Sequence, residues 1–458
     1  MSSIHDFATW EPVLGLLRAA NAERLTAPGG HVAGWIDRRG GWSLPFRQRF
    51  PPPGRALLVS DMQDEFDAVQ RVQDALADAD IDSITFVAEI TPSGRAVLYL
   101  LSLGPAAEPG IGDAYPGSLT LVEGSVPEPW RRLPDPVPGA RPARSVDLAL
   151  LERTLRERLP GAIGATEAEI AAAEARLGVA LPDELKVLYR VTRARREDWG
   201  DHAAAERVYE AAGCVLFPLD ELYIAAASAR PCPWRFAATK AVITPPDAPV
   251  QGLVGSPGWI AFGDNGGGDR FAVDLTPGPR GRIGQIIMLD HEDTIGAVLL
   301  YDSLTDLVVH KHGKRRRVRR EPEPPVVARV NRVALKSIQA AAHPGLEVLS
   351  IGVWDGEPLT LAPVTGLPRL RTLTAFPGTL ADPLEIAGLT GLEFLELGLQ
   401  EWRVLLDAGA VPRGLLAAAI MVPGNRHPLP IVAIANELLA LWDRPPITQN
   451  TLEGHLCH

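Results

Sequence analysis

Trp259-Ile-Ala-Phe-Gly-Asp-Asn-Gly-Gly-Gly-Asp-Arg-Phe-Ala-Val-Asp-Leu275 reads as a hairpin. The apolar run 259–262 predicts one strand, 271–275 predicts its partner, and 263–269 predicts a tight polar turn between them. Glycine supplies the positive φ such a turn requires, and Asp and Asn side chains bond nearby backbone amides. A Walker-type phosphate loop needs Gly-x-x-x-x-Gly-Lys-Ser/Thr opening a helix, whereas this turn opens a strand and no Lys follows. Calcium-binding nonapeptides need Gly where Asp269 stands, and nothing here repeats. The turn therefore reads as structural. A second reading has Asp264, Asn265, Asp269 and Arg270, with Trp259 preceding them, presented to a partner.

Upstream, Thr166-Glu-Ala-Glu169 has the form of a capping box, in which a Thr hydroxyl and a Glu carboxylate satisfy each other's backbone amides. Ile170, Ala173 and Leu177 share one helical face, and Gly178 suits the position just past a helix end. Val179-Ala-Leu-Pro182 then turns the chain into a second helix over 183–191, grouping Leu185, Leu188 and Tyr189. Strands are predicted at 213–217 and 284–289, and a closing helical piece at 294–309.

The stretches Glu167-Ala-Glu-Ile-Ala-Ala-Ala-Glu174, Leu177-Gly-Val-Ala-Leu-Pro182-Asp-Glu-Leu-Lys-Val-Leu-Tyr189 and Leu216-Phe-Pro-Leu219, with the hairpin and Gly284-Gln-Ile-Ile, resemble the SUKH superfamily in residues and in order. Its bacterial members are mostly immunity proteins, and its fungal representative is a cell-wall synthesis regulator. The chain departs from the family pattern at 192–200, a polar excursion in place of a short turn, and at Asp302-Ser-Leu304. The resemblance implies an α+β domain with helices packed on a mainly antiparallel sheet. It also implies binding of other proteins without catalysis, typically neutralising a toxin.

Outward from that centre, punctuation divides the chain into a multidomain α+β protein. Residues 1–132 predict an α+β domain: helices over 4–25 and 66–79, strands over 31–36, 42–46 and 56–60, and a hairpin of 83–90 with 96–103. No chemistry is evident in it. Residues 133–144 form a Pro-spaced linker, 145–309 the SUKH-like domain, and 310–325 a basic, Pro-Glu linker. Residues 326–458 contain a repeat: Pro344-Gly-Leu346-Glu-Val-Leu349-Ser-Ile351, Pro368-Arg-Leu370-Arg-Thr-Leu373-Thr-Ala375 and Thr390-Gly-Leu392-Glu-Phe-Leu395-Glu-Leu397, at offsets of 24 and 22 residues. This skeleton is leucine-rich-repeat-like, each turn giving one strand whose leucines only a stack can bury. Gly414-Leu-Leu-Ala-Ala-Ala-Ile420 reads as a degenerate fourth turn, and accidental leucines in an α/β segment are the competing account.

A net charge of −11 disfavours a general nucleic-acid binder. Cys214, Cys232 and Cys457 match neither a zinc nor a redox spacing, and read as reduced thiols. No basic segment followed by an apolar one opens the chain, and no run approaches the roughly 20 apolar residues that span a bilayer. A cytoplasmic location without membrane contact is expected. No Gly-x-Ser-x-Gly elbow occurs, and His310 and His312 alone do not close a metal site. The expectation is a protein with no catalytic residues, cofactor or metal, whose partner is a cognate protein toxin. An intracellular scaffold or regulator is the alternative, and the oligomeric state stays open.

Overall fold

The computed structural model describes residues 3–47, 58, 62–109, 119–198, 202–293, 295–310, 324–424 and 426–456. The strand expected over 56–60 (Leu58 aside), the basic stretch 311–323 and Cys457 lie outside the described residues. The chain divides into two units, one of Met1–Ser125 with Ala328–His458, the other of Val126–Val327.

The first unit opens with the helix Phe7–Ala20, capped by the Asp6 carboxylate accepting from the Ala8 amide at 3.0 Å. It buries Trp10, Val13, Leu14 and Leu17. The single helix expected over 4–25 is broken at Asn21, whose side-chain amide donates to the Leu17 carbonyl at 2.9 Å, and resumes as Ala22–Thr26. Strands β1 (Val32–Asp37), β2 (Trp42–Ser43), β3 (Ser83–Ile90) and β4 (Arg95–Ser102) pair antiparallel, and the helix Gln63–Asp78 buries Val69, Val72 and Leu76. Two short strands follow, β5 (Ala107–Pro109) and β6 (Leu119–Val122).

The second unit contains the helices Leu148–Arg158, Glu167–Leu177, Asp183–Val191 and His202–Ala212, the first and last of which were not among the expected elements. The capping box forms: the Glu169 amide donates to Thr166 Oγ1 at 3.2 Å, and the Thr166 amide donates to Glu169 Oε2 at 2.8 Å. Gly178 ends that helix at φ 70°. Strands β7 (Val215–Leu216), β8 (Tyr223–Ile224), β9 (Trp259–Asp264), β10 (Arg270–Asp274), β11 (Gln285–Leu289) and β12 (Val298–Tyr301) form an antiparallel sheet ordered β12-β11-β10-β9-β7, with β8 also on β9. One face, with Ile260, Phe262, Val273 and Ile286, packs on Leu151, Leu155, Ile170, Leu185, Leu188 and Tyr189. The other, with Trp259, Ala261, Ala272 and Ile287, packs on Ala225, Val250 and Leu253. Burial on both faces explains why β9 reads as a continuous apolar run instead of alternating.

Two expectations here give way. The closing helix of 294–309 is instead β12 followed by the short helix Asp306–His310. Its apolar run is short, and at that length periodicity does not separate helix from strand. The Pro-spaced stretch 133–144 is docked: Gln251 accepts from the Asp135 amide at 2.8 Å and donates to the Asp135 carbonyl at 2.9 Å, and the Ile283 amide donates to Arg141 at 3.1 Å.

The chain then returns to the first unit with β13 (Val327–Val330), β14 (Val348–Ile351), β15 (Thr372–Ala375), β16 (Phe394–Gly398), β17 (Ala417–Met421) and β18 (Thr448–His455). Strands β14 to β17 run parallel, with Leu349, Leu373, Leu395 and Ala418 in register. Each quoted repeat, and the degenerate turn after them, supplies one strand, and their inward leucines are buried together. The ladder continues antiparallel into β6 and β5, and β18 adds to β4 along its whole length. Separate N- and C-terminal modules were expected, but two sheets, β13-β14-β15-β16-β17-β6-β5 and β18-β4-β3-β1-β2, each draw strands from both ends of the chain. Strand partners that distant in sequence leave no local signal.

Candidate functional site

The turn between β9 and β10 is built by its own side chains. Gly266 and Gly268 take φ of 78° and 106°, a region L side chains rarely adopt. At Gly263 an added Cβ would meet the Val215 carbonyl oxygen at 2.5 Å, so only glycine lets β7 lie this close. A register shift opposite Phe271 and Ala272 bends the hairpin just before its tip.

Asp264 accepts from the Gly266 amide at 2.8 Å and from Arg270 Nη1 at 2.7 Å. Asn265 Oδ1 accepts from the Gly267 amide at 2.8 Å, while its Nδ2 donates to Asp269 Oδ2 at 2.8 Å. Asp269 Oδ1 accepts from both the ring Nδ1 and the backbone amide of His291, at 2.8 and 3.1 Å. The Arg270 guanidinium stands 5.5 Å over the Phe217 ring. Four of the five expected contact residues are thus brought together in one interlocked turn, half-buried or exposed.

Trp259 is the exception. It is fully buried at the other end of β9, facing Asp274 across the ladder, and its indole Nε1 donates to Asp274 Oδ1 at 3.0 Å. Its burial on the second face of the sheet removes it from any surface, so the expectation that Trp259 touches a partner is corrected. Asp274 also accepts from the Thr276 amide at 2.8 Å and from Gln285 Nε2 at 2.8 Å. Burial pushes its carboxyl up to about 6, and those donors offset only part of the rise.

Two residues that the sequence reading missed hold the turn's neighbour in place. His291 stands two residues past the end of β11, and the β10–β11 register brings it beside Asp269. Its hydrogen bond with the Asp269 carboxylate raises the imidazole pKa, while burial of Asp269 is more than offset by the His291 bonds, which hold that carboxyl low. Arg230, largely buried, donates to the carbonyls of Val254, Asp290 and Asp293 at 2.7, 2.9 and 2.6 Å, fixing the loop that carries His291. Nothing local to Arg230 or His291 marks either role, which depends on strands far apart in sequence.

Asp269, Asp290 and His291 bring ligand-type atoms within 4.8 Å of one another. Both Asp269 oxygens are engaged by His291 and Asn265, and Asp290 Oδ1 accepts the Glu292 amide at 2.9 Å, so the arrangement is a hydrogen-bonded cluster closed on itself. An open recess of about 310 Å³ under residues 134–140 is lined by Pro134, Pro136, Leu275 and Pro277 among others, with Asp135 its one ionisable residue. Cys214 is buried and its thiol pKa is pushed up, opposite to what a nucleophile needs. Glu184, also raised by burial, accepts from the Thr305 amide and hydroxyl at 2.8 and 2.6 Å and braces the turn after β12. Among the described residues no helix is long and apolar enough to cross a membrane.

Compared with known families, residues 164–309 match the SMI1 / KNR4 family (SUKH-1). No curated protein matches the chain.

Proposed function

We propose that this chain, whose residues 164–309 carry a SUKH domain, is a non-catalytic immunity-type protein that binds and blocks a cognate protein toxin. The observation that carries this reading is the interlocked β9–β10 turn on a domain of that family. Asp264, Asn265, Asp269 and Arg270 already hold one another, so docking them against a partner forfeits little side-chain freedom. His291 extends the same surface. The acidic balance of −11 steers a basic partner and speeds encounter.

The test is growth of cells making the toxin encoded beside this gene. The intact chain restores growth, and Asp264→Ala combined with Asp269→Ala abolishes rescue while the 126–327 unit still unfolds cooperatively, at a somewhat lower midpoint. Growth indifferent to the intact chain rules the reading out.

An intracellular scaffold is the second reading, and the parallel ladder β14–β17 favours it. Read as leucine-rich-repeat-like, that ladder is a second binding platform on the same chain, and two linked sites gain effective concentration. Affinity capture that recovers several unrelated intracellular proteins and no toxin supports it over the first.

A further inference from the structure

Of the sheet edges formed by described residues, β2, β5, β7, β8, β12 and β13 are stubs of 2 to 4 residues. The remaining edge, β18, runs 8 residues, Thr-Gln-Asn-Thr-Leu-Glu-Gly-His, with no proline, no lysine and no register shift along β4. Edges of that length normally carry such interruptions, because a row of unpaired amides and carbonyls is a template for another strand.

One hydrogen bond sets which groups point outward. The Leu456 amide donates to the Gly94 carbonyl at 2.9 Å, and these two residues continue the β18–β4 register. In an antiparallel pair, bonded and non-bonded positions alternate. Asn450, Leu452 and Gly454 therefore direct their backbone groups to β4, while Gln449, Thr451, Glu453 and His455 direct theirs away from the sheet. All four outward residues are exposed.

We propose that this edge pairs with β18 of a second copy of this chain, antiparallel about a two-fold axis at Leu452. In that register Gln449 faces the partner's His455 and Thr451 faces the partner's Glu453, so every outward amide and carbonyl of the four residues is bonded. Leu452, half-buried and apolar, meets its own mate on the axis. Shifting the strands by two residues in one direction sets Glu453 against its own mate, and in either direction leaves outward groups unbonded. What favours a second copy over a foreign strand is that the fully bonded register also sets unlike side chains opposite each other, Gln against His and Thr against Glu, with no like charges facing. Strand pairing alone buries modest area, so the association is roughly micromolar.

Sedimentation of the full chain across a concentration series tests this. The intact chain is expected to pass from monomer to dimer, and Thr451→Pro to weaken the dimer at least about tenfold, because proline there removes an outward amide and no bond to β4. Should Thr451→Pro not fold, Leu452→Cys decides: facing Cα atoms at a non-hydrogen-bonded pair lie about 4.5 Å apart, within disulfide reach. Mild oxidation should cross-link Leu452→Cys, but neither the parent chain nor a Val333→Cys control at a 93% exposed position. An intact chain monomeric at every concentration overturns the proposal. So does a dimer indifferent to Thr451→Pro, or a monomer whose edge captures an unrelated extended peptide.

Discussion

Asp274 shows how one residue ties the sheet to pH. Its carboxyl is held near 6 inside the fold, against about 3.9 in an unfolded chain. As pH rises from about 4 to about 6 the unfolded state ionises first, so the folded state binds more protons there and loses stability, by on the order of 3 kcal/mol across the window. Asparagine removes that titration, although its amide would oppose the Gln285 Nε2 donor and lower stability at every pH. Urea unfolding should show the advantage of the intact chain over Asp274→Asn shrinking between pH 4 and 6. A difference that stays flat would mean that the fold does not raise the Asp274 carboxyl above its unfolded value. Such a residue was visible in the sequence only as another carboxylate along a hairpin, because its buried partners, Trp259 and Gln285, come from the two neighbouring strands.

At the level of elements, legibility followed locality. The capping box of Glu167–Leu177, the Gly178 terminus and the β9–β10 hairpin are set within a few residues of themselves, and the structure has each of them. The helix expected over 294–309 was lost because its apolar run is too short to carry a period. At the site, Asp264, Asn265, Asp269 and Arg270 came from turn chemistry, while Trp259 was misassigned because an apolar residue beside a turn carries no mark of which face is covered. In the ladder, Leu395 is fully buried between its neighbours in register, Leu373 and Ala418. Leu395→Asp should abolish cooperative unfolding of the first unit, since an unpaired buried charge costs several kcal/mol, comparable with a domain's whole stability. The second unit should still melt as in the parent. A single calorimetric trace distinguishes the two outcomes, and an unchanged first transition would place Leu395 outside a core.

For the whole molecule, the arrangement of strands matters more than their count. Because β18 completes the sheet begun by β1–β4, and β17 joins β6, the N-terminal 125 residues lack partners without the C-terminal segment. Expressed alone, 1–125 should be unfolded or aggregated, with no dispersed amide spectrum, whereas 126–327 should fold by itself with its own core. A well-dispersed spectrum from 1–125 would contradict this. The acidic excess was plain from composition, but the interleaving of the two ends was invisible to any reading that treats segments in turn.

That interleaving has a consequence during synthesis. On the ribosome, β4 emerges with one flank bare and waits until β18 is translated, after the intervening Val126–Val327 unit has had time to collapse on its own. At roughly 5–20 residues per second the delay is on the order of tens of seconds, far longer than a hairpin needs to form. Yield of this protein in a cell should therefore depend on whatever holds nascent chains apart, and on codon choice between those two strands more than anywhere else in the gene.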